Sequence, residues 1–212
     1  MLAAIPFPDI DPVAFRLGPL SVHWYGLAYV AGFVAALLVM RWLSRRWGIG
    51  LSEDDLLTVV LSAVIGTIIG ARLGYVIFYG QGAYWADPAS IFALWDGGMS
   101  FHGGLAGILL GGVVAARMVR VPWLTLCDLG AVGAPIGFGL GRIANFINAE
   151  LWGRPTDVPW GVVFPGAGPL PRHPSQLYEA ALEGLVLFLV MLWLARRLPP
   201  RPRGELLGWM VA

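Results

Sequence analysis

Two arginines, Arg72 and Arg142, stand inside long apolar stretches of the sequence. Inserting an arginine at the centre of a membrane helix costs about 2.5–3.5 kcal/mol, so each one needs a compensating role. Asn145 and Asn148 follow the second arginine at intervals of three, and residues three apart share one face of a helix. The sequence therefore predicts two side-chain amides facing the same space as the Arg142 guanidinium.

Composition places these residues in a membrane protein. The chain has 212 residues, of which 58% are hydrophobic and 13% charged, and its mean hydropathy is +0.72. A soluble domain carries about 25% charged residues, so a soluble enzyme with a large solvated surface is excluded. The net charge of +1 gives no reason to expect a nucleic-acid partner. The single cysteine, Cys127, excludes an internal disulfide and belongs to no metal-site pattern.

Five apolar segments approach or exceed the roughly 20 residues that a helix needs to span a bilayer. They cover residues 22–42, 56–79, 100–119, 124–148 and 175–195. We therefore predict an all-α, polytopic integral membrane helix bundle that forms a single membrane domain over residues 1–212. Residues 149–174 are expected to form a loop on its outer side, and residues 204–212 to begin a sixth span.

The arginines also predict the orientation, because cytoplasmic loops of membrane proteins are enriched in Lys and Arg. One set of alternating loops holds nine arginines: Arg41, Arg45, Arg46, Arg117, Arg120, Arg196, Arg197, Arg201 and Arg203. The opposite set holds three: Arg16, Arg154 and Arg172. The N-terminus is therefore expected outside and segment 196–203 in the cytoplasm. This orientation gathers the intramembrane arginines and His102 in the outer leaflet.

Glycines recur at intervals of four in three of the five segments. They are Gly66, Gly70 and Gly74, then Gly103, Gly107 and Gly111, then Gly133, Gly137 and Gly141. Glycines at this spacing form a bare stripe on which membrane helices approach closely. Such a stripe either packs helix against helix or leaves a groove for an acyl chain, and both can hold on different helices.

The most specific motif in the sequence is GRIANFINAELWG, residues 141–153. It resembles the signature of the bacterial prolipoprotein diacylglyceryl transferases, Gly-Arg-x-small-Asn-Phe-x-Asn-x-Glu-x-x-Gly. Four other segments resemble the same family: HWYG (23–26), RLGY (72–75), WDGGMSFHGGL (95–105) and RHPSQLYE (172–179). The resemblance runs in order over nearly the whole chain.

The resemblance implies the fold and the chemistry of that family. Its members transfer a diacylglyceryl group from phosphatidylglycerol to the lipobox cysteine of a preprolipoprotein signal peptide. A thioether forms and glycerol phosphate leaves, as the first step of bacterial lipoprotein maturation. We therefore expect a transferase of the bacterial cytoplasmic (inner) membrane whose partners are phosphatidylglycerol and the signal peptide, with no cofactor and no metal.

Two residues are predicted to be catalytic. The resemblance assigns phosphatidylglycerol binding to the position of Arg142, and a guanidinium suits the charge that builds on the leaving phosphate. The alternative is a structural arginine paired with Glu150 or Asp128. His102 is the candidate base for the attacking thiol. The alternatives are a capping or interface residue, or activation of the thiol by the arginines alone.

Further candidate substrate-binding residues are Tyr25, Arg72, Asn145, Asn148, Glu150 and Gly153. The asparagines either bind the lipid glycerol and orient Arg142, or hydrogen-bond between helices. Glu150 either holds an arginine or is a surface carboxylate. Tyr25 either meets the headgroup or belongs to the interfacial aromatic belt. Glu179 and Glu183, four apart in the fifth segment, are expected to pair with neighbouring helices.

Two other functions fit parts of the pattern. A transporter or channel could line an anion path with Arg72 and Arg142, although the polar groups gather at one face. A different phosphatidyl-headgroup transferase would need an acidic metal cluster, for which the sequence shows no spacing. The resemblance also implies two further spans, the first with a second arginine. The chain is therefore expected to be truncated at its C-terminus and nearly inactive as it stands.

Overall fold

Five helices of the protein are long and apolar enough to cross a membrane. The computed structural model describes residues 5–18, 20–80, 82, 84, 87–197 and 202–212. The five helices are α1 (Trp24–Arg46), α2 (Glu53–Tyr79), α3 (Phe101–Val119), α4 (Trp123–Ile147) and α5 (Ser175–Arg197). The predicted all-α membrane bundle is confirmed. The largest difference is at the end of α1, which continues past the predicted residue 42 because long arginine side chains reach the interface from within a helix.

The connection between α1 and α2 shows how the sequence sets helix ends. Ser52 Oγ accepts a hydrogen bond from the Asp55 backbone amide over 3.1 Å, and Asp55 Oδ2 accepts one from the Ser52 amide over 2.9 Å. This reciprocal capping satisfies two amides that a helix start leaves unpaired. Across the same connection, Glu53 Oε1 lies 2.8 Å from Arg41 Nε.

Short strands and turns flank the helices. A hairpin of β2 (Val13–Leu17) and β3 (Leu20–His23) leads directly into α1. Strand β1 (Ile5–Pro6) pairs in parallel with β4 (Val162–Val163), which lies in the predicted outer loop. Two 3-10 helices, Pro88–Phe92 and Leu94–Asp96, connect α2 to α3.

The last helix, α6 (Glu205–Val211), confirms that residues 204–212 begin with helical turns. Its first amides are held by the fully buried Asp128, whose carboxylate accepts from Gly204 N over 2.7 Å and from Leu206 N over 3.0 Å. The N-terminal end of a helix carries a partial positive charge, so a carboxylate at this position stabilises the helix. Arg201, which belongs to the predicted cytoplasmic segment, lies outside the described residues.

The chain folds as two compact units. One holds β1–β4, α1 as far as Met40, α4 from Gly130 onwards, and α5. The other holds the end of α1 from Arg41, all of α2 and α3, and the start of α4 as far as Leu129.

The glycine stripes of α2 and α3 pack against each other. A Cβ on Gly70 would lie 2.7 Å from Gly107 Cα, and a Cβ on Gly74 would lie 2.8 Å from Gly103 Cα. No side chain fits at these distances, so the backbones themselves form the contact. An apolar groove of about 600 Å³ runs beside it. The packing interpretation is confirmed for this pair of helices.

In the unit that contains α4, two glycines of its stripe face α1. A Cβ on Gly133 would lie 2.9 Å from Ala36 Cα, and a Cβ on Gly32 would lie 3.1 Å from Gly137 Cα. Gly141 has open space around it. The stripe therefore packs α4 against α1 at Gly133 and Gly137, whereas Gly141, the residue before Arg142, makes no such contact.

Candidate active site

Asn145 is the centre of a hydrogen-bonded cluster at the end of α4. Only 5% of the residue is exposed, and its Nδ2 donates to Glu150 Oε1 over 2.7 Å. The same amide nitrogen donates to the Tyr25 hydroxyl over 3.5 Å, and Asn148 Nδ2 donates to Glu150 Oε1 over 3.5 Å. Four predicted site residues, which we call the amide cluster, are joined in this way: Tyr25, Asn145, Asn148 and Glu150.

Glu150 lies in the turn after α4, between two residues of unusual conformation. Ala149 and Leu151 have φ angles of 54° and 57°, a left-handed region that costs non-glycine residues about 1–2 kcal/mol each. The buried Gln176 side chain donates to the Glu150 carbonyl oxygen, and the Glu150 amide donates to Asn145 O over 3.0 Å. These contacts turn the Glu150 carboxylate back onto α4. Backbone strain of this kind concentrates at functional sites.

Arg142 lies one turn before Asn145 and faces α5. Its Nε is 2.8 Å from Glu179 Oε2 and 3.6 Å from Glu183 Oε2. The pairing of these two glutamates with a neighbouring helix is confirmed. The alternative partners predicted for the arginine, Glu150 and Asp128, are wrong, because Arg142 pairs with these glutamates of α5, while Glu150 accepts from Asn145 and Asp128 from the backbone before α6.

The donors of the Arg142 guanidinium are nevertheless uncommitted. Its side chain is 33% exposed, and no hydrogen bond joins it to any other residue that the structure describes. A guanidinium has five N–H donors in a fixed fork, so the ion pair with Glu179 uses its charge but not its hydrogen-bonding capacity. Arg142 can therefore bind an external acceptor without losing a protein hydrogen bond.

A glycine contact brings α4 and α5 together beside this pair. A Cβ on Gly184 would lie 2.6 Å from Gly139 Cα, and a Cβ on Gly139 would lie 2.9 Å from Gly184 Cα. Here α5 is a π-helix over Ala180–Val186. Such wide turns are rare in proteins, and those that occur are often found at functional sites. Any side chain at either glycine would separate the helices that carry Arg142 and Glu179.

Gly153 has a backbone role in the loop that follows α4. Its amide donates to His173 O over 2.9 Å, and a Cβ on it would lie 2.9 Å from the same oxygen. Arg172 donates to Gly153 O over 3.2 Å and to Ala167 O over 3.3 Å. This close approach explains why a glycine stands here, since a side chain would separate the two ends of the loop at residues 153 and 173.

Arg72, in the other unit, is fully engaged by the protein. It is 5% exposed and donates to four backbone carbonyls of the α2–α3 connection. These belong to Ser90 (2.7 Å), Ile91 (2.8 Å), Gly97 and Gly98 (3.1 Å). The guanidinium, buried beneath a mostly exposed connection, thus satisfies four of its inward-facing carbonyls.

His102 is the second residue of α3, and it is exposed. The helix start is capped by Ser100, whose Oγ accepts from Gly103 N over 3.2 Å, so His102 is not the capping residue. Its ring meets Phe101 edge-on, with the centroids 5.6 Å apart. In the part of the chain that the structure describes, the imidazole has no hydrogen-bond partner, which leaves both ring nitrogens open.

The structure thus brings together most of the predicted site. The amide cluster, Arg142 and Gly153 lie in one unit; Tyr25 is at the start of α1, and the others are at the end of α4 and in the loop after it. Arg72 and His102 lie in the other unit. Arg72 is in α2, and His102 is at the start of α3. The sequence-based site did not include Glu179 or Gln176. A signal for Glu179 existed, because an arginine inside a span requires a partner on a facing helix.

A multi-pass bundle that encloses an arginine, two amides and carboxylates in apolar helices is the architecture of a membrane enzyme. Residues 12–212 match the family model of prolipoprotein diacylglyceryl transferase. The chain belongs to this family, and it is a transferase of the bacterial inner membrane.

Three relatives give the extent of the similarity; each is named a phosphatidylglycerol–prolipoprotein diacylglyceryl transferase. The protein from Geobacter sulfurreducens is 53% identical over 206 residues, 97% of this chain and 78% of the relative. That from Bordetella avium is 50% identical over 203 residues, 95% of this chain and 76% of the relative. That from Vibrio cholerae is 48% identical over 208 residues, 98% of this chain and 76% of the relative.

Proposed function

We propose that the protein transfers the diacylglyceryl group of phosphatidylglycerol to the lipobox cysteine thiol of a prolipoprotein. The sulfur attacks the glyceryl carbon that carries the phosphate, the carbon–oxygen bond breaks, and glycerol phosphate leaves. The phosphodiester monoanion becomes a phosphate monoester, so negative charge builds on the leaving group. Fixed positive charge in a water-poor site is the strongest means of lowering such a barrier.

Arg142 is the residue that supplies this charge. The observation that carries the proposal is the contrast between the two intramembrane arginines. Arg72 donates to four carbonyls of its own chain, whereas Arg142, one turn before Asn145, makes no hydrogen bond to a residue that the structure describes. A free guanidinium fork matches two phosphate oxygens, and its charge persists at any pH the membrane meets.

Arg72 has a different role in this proposal. Its four carbonyl bonds hold the connection that leads to Ser100 and His102, and Ser100 N in turn donates to Ala71 O over 2.9 Å. The predicted contact of Arg72 with substrate would break part of this network. Its bonds support an anchoring role, which fixes the start of α3 where His102 stands.

The amide cluster binds the polar glycerol part of the lipid. Asn145 and Asn148 both donate to Glu150, which leaves their carbonyl oxygens to accept from hydroxyl groups. The Tyr25 hydroxyl accepts from Asn145 and keeps its own proton for donation. Four side chains locked to one another in this way present donors and acceptors in a fixed arrangement, which favours reaction by orienting the substrate.

His102 is the proposed base for the attacking thiol. A cysteine thiol has a reference pKa of about 8.5, so at neutral pH its proton must be removed or its thiolate stabilised. The exposed imidazole with both nitrogens open supports proton transfer to His102. The alternative is that positive charge alone activates the thiol. In that case His102→Phe and His102→Gln should keep their transfer activity.

The membrane arrangement belongs to the same proposal. We place the N-terminus outside and the active site toward the outer leaflet, with residues 149–174 as an outer loop of a single membrane domain. The arginine asymmetry of the loops supports this orientation.

A direct test uses the full-length protein purified in detergent, vesicles of phosphatidylglycerol, and a lipobox peptide with one cysteine. The expected result is a peptide that gains the mass of a diacylglyceryl group, together with free glycerol phosphate in equal amount. The same peptide with serine in place of cysteine is the control. Glycerol phosphate release with diacylglycerol but without peptide modification would indicate hydrolysis of the phospholipid, as by a phospholipase C, and contradict the proposal.

A further inference from the structure

A carboxylate of α5 faces the arginine that we assign to the phosphate. We infer that Glu179 is a positioning residue: it holds the Arg142 guanidinium by its inner edge so that the outer fork meets the phosphate of the lipid. The inference rests on the proposed function, because it gives Glu179 a role only through Arg142.

The geometry of the ion pair supports positioning. The contact joins Glu179 Oε2 to Nε of Arg142, at 2.8 Å, and Nε is the guanidinium nitrogen nearest the main chain. The two outer nitrogens of the fork make no hydrogen bond within the described residues. Since bidentate recognition of phosphate uses two parallel donors, an arginine held at its inner edge keeps that capacity.

The helix packing shows that this distance is set by the fold. Gly139 and Gly184 allow α4 and α5 to touch by their backbones, and the π-helix begins at Ala180, directly after Glu179. Glu183 follows four residues later at 3.6 Å from the same Nε, and its side chain is 50% exposed compared with 36% for Glu179. Of the two carboxylates, Glu179 is therefore the closer and the less exposed.

Charge gives a second reason for the pair. An arginine inside a span is costly alone, and a carboxylate partner reduces that cost while the site is empty. A partner on the phosphate side of the fork would have to leave before the lipid binds. A partner on the inner edge does not compete with the lipid, so the guanidinium stays in place throughout the reaction.

The test compares four substitutions at position 179 by the rate of thioether formation. Glu179→Gln keeps the length and an acceptor oxygen, and should lose less than tenfold in kcat. Glu179→Asp draws the carboxylate back by one methylene, and Glu179→Ala removes it. Each variant should lose about tenfold to a hundredfold in kcat, because a misplacement of the Arg142 guanidinium near 1 Å has an effect of this size. The KM for phosphatidylglycerol should change less than kcat. Glu179→Arg should abolish turnover.

Glu53 provides the matched control, because it lies at the same 2.8 Å from Nε of Arg41. Glu53→Ala breaks this ion pair outside the site, together with the 3.1 Å contact of Glu53 Oε1 with Arg45 Nη2, and should leave kcat and KM unchanged. A double-mutant cycle then separates positioning from folding. In an Arg142→Lys background, Glu179→Ala should add less than about threefold, because the fork that it positions is already gone.

The outcomes are distinguishable. Wild-type kcat in Glu179→Ala, while Arg142→Gln is inactive, would overturn the inference and leave the proposed function standing. A lower KM for phosphatidylglycerol in Glu179→Ala would also overturn it, since it would make Glu179 a competitor of the phosphate. If the losses in kcat were additive in the cycle and paralleled a fall in the yield of folded protein, Glu179 would be a structural residue only. Absence of thioether formation by the wild type would instead refute the proposed function.

Discussion

Replacing Arg142 by lysine and by glutamine gives the sharpest measure of its role. Lysine keeps the positive charge but has one nitrogen, which can face either Glu179 or a phosphate oxygen. The arginine, in contrast, meets the carboxylate at Nε, 2.8 Å away, and keeps its fork for the phosphate. Arg142→Lys therefore loses at least one of two charge-assisted hydrogen bonds, each worth about 1.5–3 kcal/mol. At about 1.4 kcal/mol per factor of ten, the expected loss in turnover is about tenfold to a hundredfold.

Glutamine removes the charge as well and should lose about 3–6 kcal/mol, or roughly a hundredfold to ten-thousandfold in turnover. The assay is the initial rate of diacylglyceryl transfer to a lipobox peptide, measured by mass spectrometry and divided by the amount of monodisperse protein. Arg41→Lys is the control, because Arg41 makes the same Nε contact with a carboxylate outside the site. If Arg142→Lys turned over at the wild-type rate, the arginine would only balance a carboxylate, and its assignment to the phosphate would be refuted.

Two further predictions concern the membrane and the packing. In a Cys127→Ser background, a cysteine at Ala167 should react with an impermeant thiol reagent on intact cells and a cysteine at Gly50 should not; the reverse would invert the orientation. Gly107→Ala should lower the thermal midpoint in detergent by several degrees, because its Cβ would meet the backbone of α2 and overpacking costs about 1–3 kcal/mol. Gly130→Ala, with open space around the glycine, should leave the midpoint unchanged, and equal midpoints for the two variants would contradict the backbone contact.

The helices were predictable because their signal is long and local. Spans of about 20 apolar residues have few alternatives in a membrane, and the segment 56–79 differs from α2 only by one turn at its start. That turn is added by Glu53, Asp54 and Asp55, which are polar and carry no hydropathy signal, although they favour a helix start through capping and the helix dipole.

The site was predictable in part, and the limit is physical. The three-residue spacing of Asn145 and Asn148 placed both amides near one another, where both donate to Glu150, since spacing along one helix is a local property; that they share their space with the Arg142 guanidinium stays a prediction. The partner of Arg142 depends on which helices touch and at what height, which the motif does not contain. The contact of Gly139 with Gly184 decides it, and it selects Glu179 over the sequence-adjacent Glu150.

The contrast between the two arginines was likewise beyond the sequence. Both stand in a span, and both were predicted to bind substrate, Arg142 through the family resemblance and its suitability for the phosphate charge. The acceptors of Arg72 are backbone carbonyls, which every residue possesses, so residue type gives no sign of them. Only the path of the α2–α3 connection shows that its donors are occupied.

The wide turn of α5 makes the site sensitive to a change that the span itself would tolerate. A π-helix arises when a single residue is inserted into an α-helix, and each residue of an α-helix turns the chain by about 100°. A further residue inserted into Ala180–Val186 would exceed what the wide turn already takes up, and it would lengthen the span by only about 1.5 Å. The turn Ser175–Glu179 would then rotate by about 100° relative to Leu187–Arg197 and away from α4. Insertions in this seven-residue segment are therefore constrained by the phase of the helix and not by its hydrophobic length.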